Sequence, residues 1–312
     1  MSVKDFHSEL KLQLGQQLFG LEETIDWLSI ALIARGHVLL EGFPGSGKTS
    51  MARALAQCLG GDFGRIQCTA DLMPSDMTGI RIFDETRGSF ELVKGPLFSD
   101  VVIVDEINRT SPKTQSAMLE AMEERRITID RESYPLKEDF FVIATQNPHE
   151  FEGTYPLPES QIDRFFLKLD VMYPTVDHEV AVLKTYGAVA PAALNTLSEM
   201  PKELLASARE EANQVAVSDA VYQYIVALAA ATRAAPSVSL GLSTRGVLAL
   251  LRCAKILAAR EGYDYVSPDH IKASLAPVVR HRIVLTQEAL FDGLDVGEVL
   301  TQITSNIEIP RE

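Results

Sequence analysis

The sequence predicts a doubly wound α/β domain on a five-stranded parallel sheet with two projecting β-hairpins, followed by an all-α domain. Three observations carry this. Five short apolar runs alternate with helical patterns over the first 174 residues. The first of those runs leads straight into a glycine-rich loop and then a helix. From residue 175 the strand pattern stops and helix follows helix. The boundary is therefore expected between 174 and 175, giving segments 1–174 and 175–312.

Residues 4–34 read as helices broken by a turn at Leu18-Phe19-Gly20, with Ile25, Leu28, Ile30, Leu32 and Ile33 in roughly helical spacing. His37-Val38-Leu39-Leu40 forms the first strand. It runs into Gly42-Phe43-Pro44-Gly45-Ser46-Gly47-Lys48-Thr49, which reads G-x-x-x-x-G-K-T, and a helix opens behind it at about 48–59. Strand, glycine loop and helix in that order are the context of a phosphate-binding loop. The loop's N–H groups and the helix N-terminus would wrap a β-phosphate. Gly42, Pro44, Gly45, Ser46, Gly47 and Ser50 are expected to shape that cradle. Lys48 is expected to reach the β- and γ-phosphates, and the Thr49 hydroxyl to hold Mg²⁺.

A second strand is expected at Arg65-Ile66-Gln67-Cys68. Residues 80–83 and 89–93 alternate about a turn at Thr86-Arg87-Gly88 and predict a hairpin. Val101-Val102-Ile103-Val104 is the β-branched run of a central strand covered on both faces. A helix follows from Ser111-Pro112 to about Arg125. A second hairpin is expected from 127–130 and 134–136 about Arg131-Glu132-Ser133. Residues 140–144 make another buried strand, and Leu167-Lys168-Leu169-Asp170 the last. In the second domain helices are expected at 176–186, 200–214, 218–234, 244–260, 267–280 and 286–302, with no strands.

Strand ends carry the candidate chemistry. Asp105-Glu106 closes the β-branched strand; Asp105 would hold Mg²⁺ through its water shell and Glu106 would activate a water. Asn147, just past the next strand, reads either as a water- or phosphate-positioning amide or as a turn asparagine before proline. Arg164 either pairs with Asp163 or reaches the γ-phosphate of a neighbouring subunit. Arg245, opening a helix, reads locally as a cation on a solvated face.

The chain has 312 residues and a formal net charge of −14, which argues against a protein that holds nucleic acid through a broad basic field. Three scattered cysteines suggest a reducing compartment and neither a disulfide frame nor a metal site. No signal-peptide core is evident, and no apolar run approaches the ~18 residues a membrane helix needs. A cytoplasmic protein without membrane insertion is expected.

Taken together these motifs resemble the MoxR family of AAA+ ATPases. The resemblance runs through most of 17–175: Gly36-His37-Val38-Leu39-Leu40-Glu41-Gly42, Glu106-Ile107-Asn108-Arg109, Pro112-Lys113-Thr114-Gln115-Ser116-Ala117, Ala144-Thr145-Gln146-Asn147-Pro148 and Asp163-Arg164-Phe165. It implies an AAA+ P-loop NTPase core with a helical lid, ATP and Mg²⁺ as ligands, Asn147 as sensor 1, Arg164 as arginine finger and Arg245 as sensor 2, with Thr244 where the family usually has proline. Gly20 falls at the family's adenine-contacting segment, with Leu21 in place of the usual glutamine. The two hairpins match the family's inserts. The resemblance further implies a homohexameric ring acting as a chaperone on protein complexes, with a separate von Willebrand factor A domain partner. A ring translocase on nucleic acid is the competing reading. Arg125, Arg126, Arg131 and Lys137 could meet phosphates, but Glu123, Glu124, Asp130, Glu132, Glu138 and Asp139 interleave with them. No stable nucleic-acid binding is expected.

Overall fold

The computed structural model describes residues 2–43, 45–147, 153–187 and 197–309. Helices α1 (Val3–Gly15) and α2 (Glu22–Ile33) precede strand β1 (Val38–Gly42), the glycine loop and α3 (Lys48–Cys58). After β2 (Phe63–Gln67), a short α4 (Pro74–Thr78) opens the hairpin β3 (Gly79–Asp84) and β4 (Ser89–Lys94). Then come β5 (Val101–Asp105), α5 (Pro112–Glu124), the hairpin β6 (Arg126–Ile129) and β7 (Glu132–Pro135), and β8 (Phe141–Gln146). The α/β part closes with α6 (Glu159–Ile162) and β9 (Leu167–Val171). The helical part holds α7 (Val176–Tyr186), α8 (Lys202–Gln214), α9 (Asp219–Ala234), α10 (Thr244–Glu261) and α11 (Pro268–Val279). It ends with α12 (Gln287–Phe291) and α13 (Val296–Ser305).

The sheet is five-stranded and parallel, in the order β2-β5-β8-β1-β9. Its continuous apolar runs are explained by two-sided burial. Val101, Ile103, Phe141 and Ile143 point to one face, packed under α1, α2 and α3. Val102, Val104, Val142 and Ala144 point to the other, under α5 and the second hairpin. The first apolar cluster continues without a break into Leu205, Leu250 and Ile271 of the helical part. The order brings the carboxyl ends of β1, β5 and β8 together, where open α/β sheets bind ligands.

A buried histidine locks that alignment. His37 Nδ1 accepts from the Val142 N–H of β8 at 3.0 Å, and its Nε2 donates to the Met122 carbonyl of α5 at 3.1 Å. Burial, with Arg125 nearby, pushes its pKa down to about 3, so the ring stays neutral.

Several expectations need correction. The segment 286–302 is not one helix: α12 stops at Phe291, Gly293 turns with φ +80°, and Asp295 caps α13 in a reciprocal bond with Glu298. Strands do occur in the helical part, as the antiparallel pair β10 (Val238–Leu240) and β11 (Val284–Leu285). The second hairpin turns at Asp130-Arg131 rather than at 131–133. Ile129 pairs with Glu132, and both turn residues have positive φ (49° and 73°), the tight twist-matched turn of a two-residue loop. Among the described residues no helix is long and apolar enough to cross a membrane.

Candidate active site

The glycine loop takes its shape from three glycines. Gly45 and Gly47 both have φ +81°, which residues with a Cβ resist. A Cβ on Gly42 would lie 2.3 Å from the Val171 carbonyl oxygen, so β9 can approach only a glycine there. Behind the loop lies a cavity of about 360 Å³ lined by Gly42, Gly45, Ser46, Gly47, Lys48, Thr49 and Ser50 on one side. Asp105, Glu106 and Asn147 line it from the tips of β5 and β8. The structure therefore brings these sequence-selected residues into one place; Pro44 lies outside the described residues.

Lys48 Nζ donates to the carbonyls of Gly42 (3.1 Å) and Phe43 (2.6 Å) and to Ser46 Oγ (3.0 Å). Burial pushes the Lys48 pKa below the ordinary lysine value, and the Asp105 and Glu106 carboxylates pull it back up. A partly desolvated ammonium facing two carboxylates suits an anionic ligand that brings its own cation. Asp105 is buried at the end of β5, and Arg65 Nε donates to its Oδ2 at 2.9 Å. Glu106 has a left-handed backbone, φ 57° and ψ 54°, pinned by its N–H donating to Thr145 Oγ1 at 2.9 Å. Strain of this kind in a non-glycine residue survives only where the surroundings enforce it. The Glu106 carboxylate accepts from Arg109 Nη1 at 2.9 Å and from Gln67 Nε2 at 3.4 Å.

Thr49 and Asp105, both in the cavity lining, offer hard oxygen donors. Among the described residues no group of three or more His, Cys, Asp or Glu forms a metal cage. The Thr49 hydroxyl and the Asp105 carboxylate fit Mg²⁺, which keeps waters and binds through one or two protein oxygens plus phosphate.

Gly20 does not line this cavity but stands beside it. Its φ is +74°, and a Cβ there would meet His178 Nδ1 at 3.0 Å and Pro174 Cβ at 3.3 Å. Phe43 of the loop stacks on Tyr173 with ring centres 4.5 Å apart. The glycine loop, the turn before α2 and the start of α7 thus meet at one edge.

Arg164 and Arg245 lie elsewhere, in a second cavity of about 740 Å³ between the α/β and helical parts. They share Glu123 at the end of α5: Arg164 Nε is 3.4 Å from its Oε2, and Arg245 pairs with its Oε1. The local pairing of Arg164 with Asp163 that the sequence suggested is not formed. Asp163 is instead held from the helical part. It accepts from Ser243 Oγ at 3.0 Å, Arg245 Nη1 at 3.4 Å and Arg282 Nε at 2.9 Å. Arg282 is buried; burial pushes its pKa down to about 10 while Asp163 pulls it up. It also donates to the carbonyls of Phe165 and Phe166.

Sequence reasoning missed Arg65, Gln67, Thr145 and Gln146, which also line the phosphate-side cavity. Their signal lies in topology: Gln67 pairs with Asp105 in register, so β2 ends beside β5.

Comparisons with known proteins set the chain among ATPases. The family described as ATPase family associated with various cellular activities (AAA) matches residues 37–167, and the AAA lid domain matches 230–303. Chaperone MoxR1 of Mycobacterium tuberculosis is 37% identical over 94% of this chain and 80% of its own length. YeaC of Bacillus subtilis, itself uncharacterised, is 46% identical over 90% of this chain and 87% of its own. Protein MoxR of Paracoccus denitrificans is 31% identical over 91% of each. A crystal structure from Cytophaga hutchinsonii, described as a candidate ATPase, superposes with a TM-score of 0.91 at 36% identity, covering 99% of this chain and 96% of that one.

Proposed function

The chain belongs to the MoxR family of AAA+ ATPases and is an ATP-hydrolysing enzyme of chaperone type, and we propose that it acts as a closed homohexamer that remodels or matures a separate protein complex. The partner is a polypeptide bearing a von Willebrand factor A domain. One observation carries the ring: Arg164 and Arg245 converge through Glu123 on a cavity that shares no lining residue with the phosphate cavity. Cations placed there complete a nucleotide site only when it belongs to another copy.

Each residue then has a physical task. The loop N–H groups and the start of α3 bind the β-phosphate. Lys48 exchanges its loop carbonyls for phosphate oxygens. Thr49 and Asp105 would hold Mg²⁺, which supplies charge neutralisation at the phosphates. Glu106, aimed by the Thr145 bond to its N–H, takes the proton from the water that attacks the γ-phosphorus. The Asn147 amide positions that water. Arg164 and Arg245 of the neighbouring copy offset the charge that spreads over the transferring phosphoryl group. Gly20, with Pro174 and His178 close by, borders the base.

The hairpin cations favour a protein client over nucleic acid. Arg125 turns inward and donates to the carbonyls of Arg35, Glu138 and Phe140. Lys137 lies within ion-pair distance of Asp62 and Asp100. Arg125 and Lys137 are thus engaged within the chain, which leaves the exposed Arg126 and Arg131 as the hairpin's outward cations, too few for a phosphate track. The test is affinity capture on Glu106→Gln rings held with ATP. A protein with a von Willebrand factor A domain should be retained with ATP and released with ADP. Equal recovery in both nucleotides, or salt-sensitive retention of single-stranded DNA instead, overturns the reading.

A further inference from the structure

Two faces that the nucleotide site leaves unexplained fit each other. The first is α7, an 11-residue helix with no buried residue. Val176, Val180 and Leu183 form one stripe along it, 75, 42 and 69% exposed, and Met172 and Tyr173 extend the apolar surface ahead of it. An apolar stripe is normally what a helix buries. Asp177 and Glu179 flank it in the first turn, where Glu22 lies 3.8 Å from His178, and Lys184 flanks it in the last turn.

The second is the outer face of α10. Arg245, Leu248, Arg252 and Lys255 are spaced three, four and three apart and so share one side of the helix. They form a wall of the 740 Å³ cavity, with Leu248 50% exposed. The lining adds Arg35, Arg125 and Arg209, of which Arg35 pairs with Glu138 and Arg209 with Asp139; among the described lining residues the one carboxylate is Glu123. Burial and the neighbouring cations Arg35 and Arg209 push the Arg125 pKa down, while Asp139 pulls it up. In a chain of net charge −14, this is a basic and apolar recess facing outward.

We propose that α7 of one copy docks on the α10 face of the next. The inference rests on the shared-site reading above and names the surfaces that build it. Tyr173, at the head of α7, stacks on Phe43 of the glycine loop, so α7 flanks the phosphate cavity. Arg245 opens the α10 face. Bringing Arg164 and Arg245 of one copy to the phosphates of another therefore brings α7 of that second copy to α10 of the first. The charges agree at the first turn of α7, whose Asp177 and Glu179 would meet the cations around Leu248. The two patches differ, so the contact is heterologous, and each copy uses one of each as the ring closes.

The test pairs two double variants at exposed positions, V180D/L183D on α7 and L248D/R252E on α10. Sedimentation velocity is run with Mg·ATP at a concentration where the wild type forms rings, and circular dichroism melts confirm that both variants fold. Each variant alone is expected to sediment as a monomer. Mixed in equal amounts they are expected to form a heterodimer and no ring, because the L248D/R252E protein still offers α7 and the V180D/L183D protein still offers α10. Rings that survive both double substitutions overturn the α7–α10 contact while leaving the shared site standing. So does a mixture that fails to pair. Assembly intact in both variants with partner capture lost in V180D/L183D assigns α7 to the partner and also overturns the proposal. A wild type that stays monomeric in Mg·ATP overturns the ring itself.

Discussion

Acidification from about pH 7.5 to about pH 5.5 should remove about 1.4 kcal/mol of folding stability through His37 alone. The folded ring has its pKa depressed to about 3, against an ordinary histidine value of 6.5. In the intermediate range the unfolded chain binds a proton that the folded chain refuses, so stability falls as pH drops through the ordinary value and keeps falling toward the folded one. The free energy of that proton at about pH 5.5 is RT ln(1 + 10), or about 1.4 kcal/mol, and it hardly changes while the folded value stays below about 5. The assay is urea denaturation of the wild type and of His37→Asn at both pH values. The asparagine amide keeps an acceptor for the Val142 N–H but cannot titrate, and it loses the Met122 bond. The variant should be weaker at neutral pH by about 1 kcal/mol, yet lose about 1.4 kcal/mol less on acidification. His281, also buried with a lowered pKa, contributes equally to both proteins and cancels. Equal acid sensitivity in the two proteins would refute the argument that His37 is held neutral by burial.

Glu106→Gln should keep nucleotide binding in a fluorescent-nucleotide titration while turnover falls about 10²–10⁴-fold, the usual worth of a general base; unchanged turnover rejects its role. Arg164→Ala should abolish turnover in the assembled ring, and mixing it with Glu106→Gln subunits should restore part of the activity, since an Arg164→Ala subunit keeps its own Glu106 and can borrow an arginine. Gly42→Ala places a methyl 2.3 Å from the Val171 carbonyl oxygen, which should reduce stability by about 1–3 kcal/mol and weaken nucleotide binding. Unchanged melting and binding would mean that β9 can retreat.

The sheet was legible because two-sided burial writes itself as unbroken β-branched runs such as Val101-Val102-Ile103-Val104. The phosphate cradle was legible because a loop of that shape admits few residues besides glycine at 42, 45 and 47. The helical part was less so. Asp292-Gly293 is a turn signal, but it sits inside a stretch whose apolar spacing continues through it, and the continuation masked the break. Strands β10 and β11, of three and two residues, are too short to leave a period. Arg65 and Gln67 were invisible because nothing near them in sequence says that β2 lies beside β5. Arg245 looked like a solvated cation; only the fold reveals that it shares Glu123 with Arg164.

Asp163 is gripped by Ser243, Arg245 and Arg282, and the next residue in the chain is Arg164. Arg282 also holds the carbonyls of Phe165 and Phe166, so its grip extends to both sides of the arginine. The helical domain and Arg164 therefore move as one piece, like a handle and its blade. In the proposed ring, a tilt of the handle would be carried to the site of the neighbour that the blade reaches. If the copies close into the proposed ring, every one is wired in the same sense, and the assembly would act as a one-way relay in which each site is advised by the copy on one side and advises the copy on the other.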